Sequence, residues 1–336
     1  MALPPTPSIP GENALATLAG RLHGVYAANL RRDAISSRGT RSVATERALL
    51  SDVLMFSGWC LDAGLCALPA SAPTLAAFID AQAAAGASVA SIRRYVSSIA
   101  TYHASAEAEN PMRLKVATDA LRRMARSQGE RQRQAGPIND NLVVRMLAAT
   151  GRRLVDLRDK ALLALAYTTM CRRGELVALL AEDITAAGDG FATITVRRSK
   201  TDQTGEGAAV AITADAMFHV RAWLAAARIK SGPLFVSVDK HNHLGASLDP
   251  QSVALIFRRM AARVRPRLPP AELKRISGHS TRVGATQDMI RYGADVAGAM
   301  QAGRWKTTTM VARYCSGLEL KRGAVAQVAA RREQFV

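Results

Sequence analysis

The chain has 336 residues, enough for two domains of ordinary size, and carries 45 basic against 27 acidic side chains, a formal charge of +18. An excess of this size favours a polyanion held through phosphate contacts and counterion release. No run approaches 18 consecutive apolar residues, which excludes a membrane span, and neither a lipid anchor nor a lysine-rimmed apolar helix face is visible. The N-terminal Met-Ala-Leu-Pro-Pro-Thr-Pro lacks the basic segment and long apolar run of a secretion signal. Four cysteines, at 60, 66, 171 and 315, have no close Cys-x-x-Cys pairing and read as free thiols in a reducing cytoplasm.

Residues 1–20 are rich in Pro, Gly and small side chains, and the expectation is a flexible N-terminus. From 21 to 128 the pattern is helical. Segment 45–62 places Leu50, Val53, Leu54 and Leu61 near helical spacing and ends before Gly64. Segment 74–85 follows Pro73. Segment 88–104 repeats Val89, Ile92, Val96 and Ile99 at intervals of three and four, with Arg93 and Arg94 on its other side. A further helix, 112–127, bears Arg113, Lys115, Arg122, Arg123 and Arg126. Residues 128–137 hold almost nothing that could join an apolar stripe and read as a linker.

The second block carries most of the charge: beyond residue 135 there are 30 basic and 17 acidic residues, against 15 and 10 before it. Segment 156–167 is an apolar helix and 174–180 a short one. Phe191–Arg198 alternates as a strand, and with a turn at 202–207 and the run 208–213 it predicts a hairpin. His241 and His243 lie beside Gly245 with no cysteine to complete a metal set, and read as a solvated loop. Helices resume near Asp215 and after Asp249-Pro250, with breaks at Pro266–Pro270, Gly278, Gly293 and Gly303.

Six polar residues in this block suit one phosphate. Arg172 follows the apolar helix at a turn, where a guanidinium fork is held rigidly and stays charged; Glu175, three residues on, can orient it. Lys200 stands where strand meets turn and can protonate a departing 5′ oxygen, help worth ~10²–10⁴ in rate. His279 and Arg282, three apart in Gly-His-Ser-Thr-Arg-Val-Gly-Ala, share a helical face. Trp305 after Gly303 suits a helix start beside an anion. Tyr314 is a nucleophile candidate that needs nearby positive charge and a proton acceptor. Each has a dull alternative alone: salt bridge, surface lysine, cap, core tryptophan, amphipathic anchor. Together they predict DNA strand cleavage and rejoining through a phosphotyrosine, with no metal and no cofactor.

In order, Arg172, Lys200, His279, Arg282, Trp305 and Tyr314 resemble the catalytic set of the tyrosine recombinases, or lambda-integrase-type recombinases. Asp288-Met289 and Met-Gln-Ala-Gly-x-Trp at 300–305 extend the resemblance; Trp305 stands where most members have histidine, although one branch carries tryptophan. It implies a two-domain clamp on DNA, mainly α with a small antiparallel β-sheet in the catalytic domain. Residues 21–128 would be the core-binding domain, 129–137 the linker, and 138–336 the catalytic domain ending in a helix for protomer exchange. It further implies Tyr314 as nucleophile, forming a 3′-phosphotyrosyl link, with Arg172, Arg282 and Trp305 on the phosphate. Lys200 would be the general acid, His279 the base or a second donor, and Glu175 a support. The implied partners are double-stranded DNA with inverted-repeat half-sites, a second copy on each site, and a homotetramer in the synapse. The implied setting is bacterial or phage, beside the nucleoid. In the tail, Leu320, Ala324 and Val328 recur every four residues, which suits docking in a neighbour or packing on their own domain.

For base reading the candidates are Arg93, Arg94, Arg122 and Arg123 in the first block, and Gln251, Ser252, Arg258 and Arg259 on the helix after Asp249. Most contacts of such residues go to phosphates. Two other functions remain open at this point: a type IB topoisomerase, which relaxes DNA as a monomer with similar chemistry, and a non-cutting DNA-binding protein on the same fold.

Overall fold

The computed structural model describes residues 13–22, 24–129, 134–197 and 207–322. It divides into two compact units, 1–132 and 133–336. In the first, helices α1 (Ala14–Ala19), α2 (Gly24–Ser36), α3 (Val43–Asp62), α4 (Ala72–Ala84), α5 (Val89–Ser105) and α6 (Lys115–Gln128) follow one another. Ser42, Ser71 and Ser88 each turn a hydroxyl back onto a backbone N–H of the first turn, which is why α3, α4 and α5 start where they do. Phe56, Phe78, Ile92, Ile99 and Met124 form one apolar cluster, with Phe56 and Phe78 edge to face at 5.0 Å.

The expected loose N-terminus gives way to structure from residue 13 onward. Asn13 caps α1, and its side chain donates to the Ala34 carbonyl at 2.9 Å. The Ala14 N–H donates to Glu46 at 2.8 Å, and Leu15 and Leu18 are buried against Leu30, Leu49 and Tyr102. Two leucines on a six-residue helix are too few for a periodic signal, so composition misled. The helix expected from 112 begins at Lys115, because Pro111–Arg113 form a separate 3₁₀ turn capped by Asn110.

The second unit is built around α8 (Leu154–Thr169), which follows α7 (Asp140–Ala149). Ala161 to Ala166 are buried on every side of α8, as a central helix requires. Helix α9 (Arg173–Val177) leads to a three-stranded antiparallel sheet, β1 (Ile184–Gly188), β2 (Phe191–Val196) and β3 (Ala208–Ile212), in the order β1-β2-β3. The predicted pairing of 191–196 with 208–212 is present, its turn at 198–206 lying outside the described residues. β1 was not expected: only Ile184 of its five residues is partly buried, so no alternation marks it.

Beyond α10 (Ala214–Ala227), β4 (Val236–Val238) and β5 (Leu244–Ser247) form a second small sheet, with His241 and His243 in the turn between them. The chain then runs through α11 (Pro250–Arg263), α12 (Pro270–Arg275), α13 (Ser280–Arg291), α14 (Val296–Gly303) and α15 (Thr309–Arg322). Trp223, Phe235 and Phe257 are among the large side chains of its core. Among the described residues no helix is long and apolar enough to cross a membrane.

The C-terminal part of the expected linker belongs to this unit. The Gly136 N–H donates to the Arg275 carbonyl and the Ile138 N–H to the Ser280 carbonyl, both at 2.9 Å, and the Asp140 N–H donates to buried Asp288 at 2.8 Å. This segment lies so close to α13 that Gly284 has no room for a side chain: a Cβ there would strike the Ile138 carbonyl. Gly284→Ala therefore loses stability. The better helix propensity of alanine returns about 1 kcal/mol, but backbone cannot move aside, and overpacking of about 1–3 kcal/mol or more dominates. Gly58→Ala in α3, where a Cβ meets nothing within 4 Å, gains about 0.5–1 kcal/mol. Thermal melts of the two variants should move in opposite directions.

Candidate active site

The loop between α8 and α9 places the first arginine. Met170 ends α8 in the left-handed conformation (φ 50°), turning the chain so that Arg172 becomes the N-cap residue of α9. Glu175 closes this turn twice: it accepts the Arg172 backbone N–H at 3.0 Å and its guanidinium at 2.7 Å. Glu175 is buried. Burial alone pushes its carboxyl up, but the Arg172 backbone and guanidinium and the charge of Arg304 outweigh this and hold it below its ordinary value.

Arg282 enters from α13 and is 2% exposed. Its Nη1 donates to the Met170 carbonyl and its Nη2 to the Gly303 carbonyl at 2.9 Å, so one guanidinium joins the ends of α8 and α14. The charged plane lies 5.1 Å from the Trp305 ring centre, and Trp305 meets Tyr314 edge to face at 5.6 Å. Burial lowers the Arg282 pKa, neighbouring Arg172 lowers it further, and Tyr314 opposes both. Burying a guanidinium costs several kcal/mol. Hydrogen bonds from a charged donor return about 1.5–3 kcal/mol each, and a desolvated cation–π contact about 2. Two of its five N–H donors are used among the described residues, which leaves the others for an anion.

Trp305 does not begin a helix as expected. It follows the end of α14, where Arg304 takes the left-handed conformation (φ 53°) and the Trp305 N–H donates back to the Met300 carbonyl. Gly303 cannot carry a side chain, since a Cβ would collide with the indole ring. Trp305 packs on a small cluster of Ala299, Val311 and Cys315, and Cys315 thereby anchors the face of α15 beside Tyr314. Gln287 of α13 donates to the Tyr314 carbonyl at 2.9 Å, and Gln134 donates to it at 3.3 Å.

Arg172, Glu175, Arg282, Trp305 and Tyr314 are thus brought together. His279 sits at the N-cap position of α13, exposed, three residues before buried Arg282, so helical spacing does not give the two side chains the same surroundings. Lys200 lies outside the described residues. One participant had no sequence signal: Arg304, whose guanidinium contacts Glu175 at 2.6 Å, reads in sequence as one of many surface arginines. Among the described residues no group of three His, Cys, Asp or Glu side chains has the arrangement of a metal site.

The base-reading candidates divide by environment. Arg94 pairs at 2.9 Å with Asp52, which is buried and also accepts from Ser98. Arg122 and Arg123 meet the carboxylates of Asp119 and Asp80 at 3.4 and 3.2 Å, and Arg93 lines a shallow cleft with Arg122 and Arg126. Gln251 and Ser252 occupy the first turn of α11, capped by Asp249. Arg258 donates to the Ile276 carbonyl at 2.8 Å, and Arg259 to buried Asp159 at 2.5 Å, so both already serve the fold.

A family model described as the phage integrase family matches residues 137–319. The chain belongs to that family, the tyrosine recombinases. It is similar to an integrase/recombinase XerD homolog of Selenomonas ruminantium, 31% identical over 281 residues and 80% of each chain. It is also similar to the recombinase Cre of Escherichia phage P1, 26% identical over 310 residues, covering 88% of this chain and 90% of that one. Among solved structures it shares the fold of the XerH site-specific recombinase in a post-cleavage complex with palindromic difH substrate (TM-score 0.61, 15% identity, 93% of both chains). The protein is accordingly an enzyme of site-specific DNA recombination.

The Glu175 carboxylate generates a pH dependence. Its folded pKa lies below the ordinary 4.5, so its contribution to stability is present above that value and lost as the pH falls through the lower folded one. Glu175→Gln should lower the melting temperature at pH 7. The gap between variant and parent should then close on acidification below about pH 4.5, as read from melts across a pH series.

Proposed function

We propose that Tyr314 is the nucleophile of this recombinase and that Arg172, Arg282 and Trp305 hold the scissile phosphate of a double-stranded DNA. One observation carries this reading. Among the described residues two guanidinium groups, those of Arg172 and Arg304, pair with a single carboxylate, Glu175, while a third, Arg282, lies within electrostatic reach of Arg172 and against the Trp305 ring, which meets the Tyr314 ring edge to face. The surplus charge calls for an anion, and the phenol stands beside it.

The Tyr314 oxygen attacks phosphorus as the bond to the 5′ oxygen breaks, giving a 3′-phosphotyrosyl link and a free 5′-hydroxyl. The phenol proton passes to a base, for which His279 is the candidate. Lys200 gives a proton to the departing oxygen, which would otherwise leave as a strongly basic alkoxide. Arginine forks bind the equatorial oxygens and stabilise the charge that builds in the transition state. The 5′-hydroxyl of a partner strand then reverses the step. The phosphodiester energy stays in the covalent link, so exchange needs no nucleotide triphosphate.

The residues up to 128 would act as the core-binding domain and those from 138 as the catalytic domain, two copies on inverted-repeat half-sites and four in the synapse. Supporting the DNA partner are the formal charge of +18 and the DNA-bound form of the XerH neighbour. Arg93, Arg122 and Arg126, around one cleft, are the first-domain residues we assign to DNA backbone contacts. The tail from Leu318 with its Leu320, Ala324 and Val328 stripe, which beyond 322 lies outside the described residues, would dock in a neighbouring protomer.

A nicked suicide substrate carrying a site recovered from random DNA by binding selection should trap a covalent adduct with the parent enzyme and none with Tyr314→Phe, while filter binding stays within about threefold. Adduct from Tyr314→Phe would sink the assignment, and relaxation of site-free supercoiled DNA would favour a topoisomerase. Removing residues 323–336 should leave single-site binding intact and abolish the synaptic complex in native gels; unchanged synapsis would count against docking by the tail.

A further inference from the structure

Arg304 is an arginine where backbone geometry asks for glycine. It ends α14 with φ 53°, a left-handed conformation that costs about 1 kcal/mol or more for a residue with a Cβ. Nothing about chain reversal requires a long cationic side chain there. Its side chain is nevertheless only 14% exposed, and its guanidinium spans about 130 residues of sequence: Nη1 donates to the Thr169 carbonyl at 3.2 Å, and Nη2 contacts Cys171 Sγ at 3.7 Å and Glu175 at 2.6 Å. Every one of these partners lies within three residues of Arg172.

Glu175 is shared. One carboxylate oxygen takes the Arg172 guanidinium, the other takes Arg304 together with the Arg172 backbone N–H. If Arg172 alone paired with Glu175, the two charges would cancel and the fork would be committed to its own neighbour. A second guanidinium on the same carboxylate divides that attraction. It also fixes the carboxylate in the plane that aims the Arg172 fork, and it links Arg172 to the segment bearing Trp305.

We propose that Arg304 is a positioning residue for strand cleavage: by sharing Glu175 it sets the aim of the Arg172 fork and keeps that fork available to the scissile phosphate. The inference rests on the phosphate-binding role proposed for Arg172. Arg304 itself need not touch DNA.

The test is single-turnover cleavage of a suicide substrate by the full chain as Arg304→Gly, Arg304→Lys and the parent, from pH 3.5 to 9, with Tyr314→Phe alongside. Glycine suits the backbone at this position, so Arg304→Gly should fold; circular dichroism and melting check this. Expected for Arg304→Gly is DNA affinity within about threefold of the parent and cleavage slowed about 10²-fold, the scale of a misplaced positioning contact. The lower acid limb, which in the parent lies below the ordinary carboxylate value of Glu175, should move to higher pH, because Glu175 loses a charge that favours its ionised form. Arg304→Lys, or methylguanidine added to Arg304→Gly, should restore much of the rate and return the limb.

Cleavage by Arg304→Gly at the parental rate with an unmoved limb overturns the inference while leaving the proposed function standing. So does a slowed Arg304→Gly whose limb stays put and which neither lysine nor methylguanidine rescues, since that pattern marks a purely structural role. If Arg304→Gly fails to fold, Arg304→Lys decides: parental cleavage and acid limb support the inference, and a folded but slow Arg304→Lys overturns it. Covalent adduct from Tyr314→Phe would instead bring down the underlying reading, and this inference with it.

Discussion

The guanidinium of Arg282 is the tie on which the second unit depends. It is a full positive charge removed from water, satisfied by the carbonyls that end α8 and α14 and by the face of Trp305. A charge in that position is tolerated only while those partners stay in place, because an unpaired buried ion costs several kcal/mol. The ends of three helices and one indole are therefore registered against each other to hydrogen-bond precision. The proposed phosphate site inherits this rigidity. Arg172 begins two residues after the Met170 carbonyl, and Tyr314 rests against the same indole.

Other parts of the unit solve related problems in the same way. Helix α8 is buried all round, yet its first two turns contain Asp156, Arg158 and Asp159. Each carboxylate is met by arginines: Asp156 by Arg153 and Arg263, Asp159 by Arg158 and Arg259. These pairs fix α11 against α8 with a geometry that apolar contacts alone would leave free to slide. At the opposite end, Asp288 accepts from Tyr167, the Asp140 backbone and Arg291, and so pins the start of α7 to the helix that carries Arg282. Much of the basic excess near α8 and α11 is consequently structural, and total charge overstates how many arginines are free for a polyanion.

Helix α15 is held differently. Tyr314 sits on α15 with Cys315 buried behind it, while Gln287 and Gln134 reach its backbone carbonyl. Gln134 stands at the start of the second unit, just after the undescribed residues 130–133. The backbone at Tyr314 is thus tied to the first described residues of its own unit. Neutral amide bonds of this kind contribute about 1 kcal/mol each, far less than the charged tie at Arg282, so α15 is the more easily displaced of the two.

Sequence alone was sufficient where a local rule acts. The period of Val89, Ile92, Val96 and Ile99 marks a buried face, and the alternation of 191–196 marks a half-buried strand. The motif residues Arg172, Glu175, Arg282, Trp305 and Tyr314 were legible because their chemistry and order are unusual together. Weak elements escaped: α1 and β1 bury too few residues to show a period, and the Gly136–Ile138 stretch is fixed by hydrogen bonds to residues about 140 positions away. Tertiary structure alone decided that Arg282 lies under Trp305 while His279, three residues earlier, faces out. It alone set Arg304 on Glu175 and gave Arg258 and Arg259 partners in the Ile276 carbonyl and Asp159. A guanidinium has the same formula in every setting, and which acceptor it finds depends on distances that only the folded chain creates.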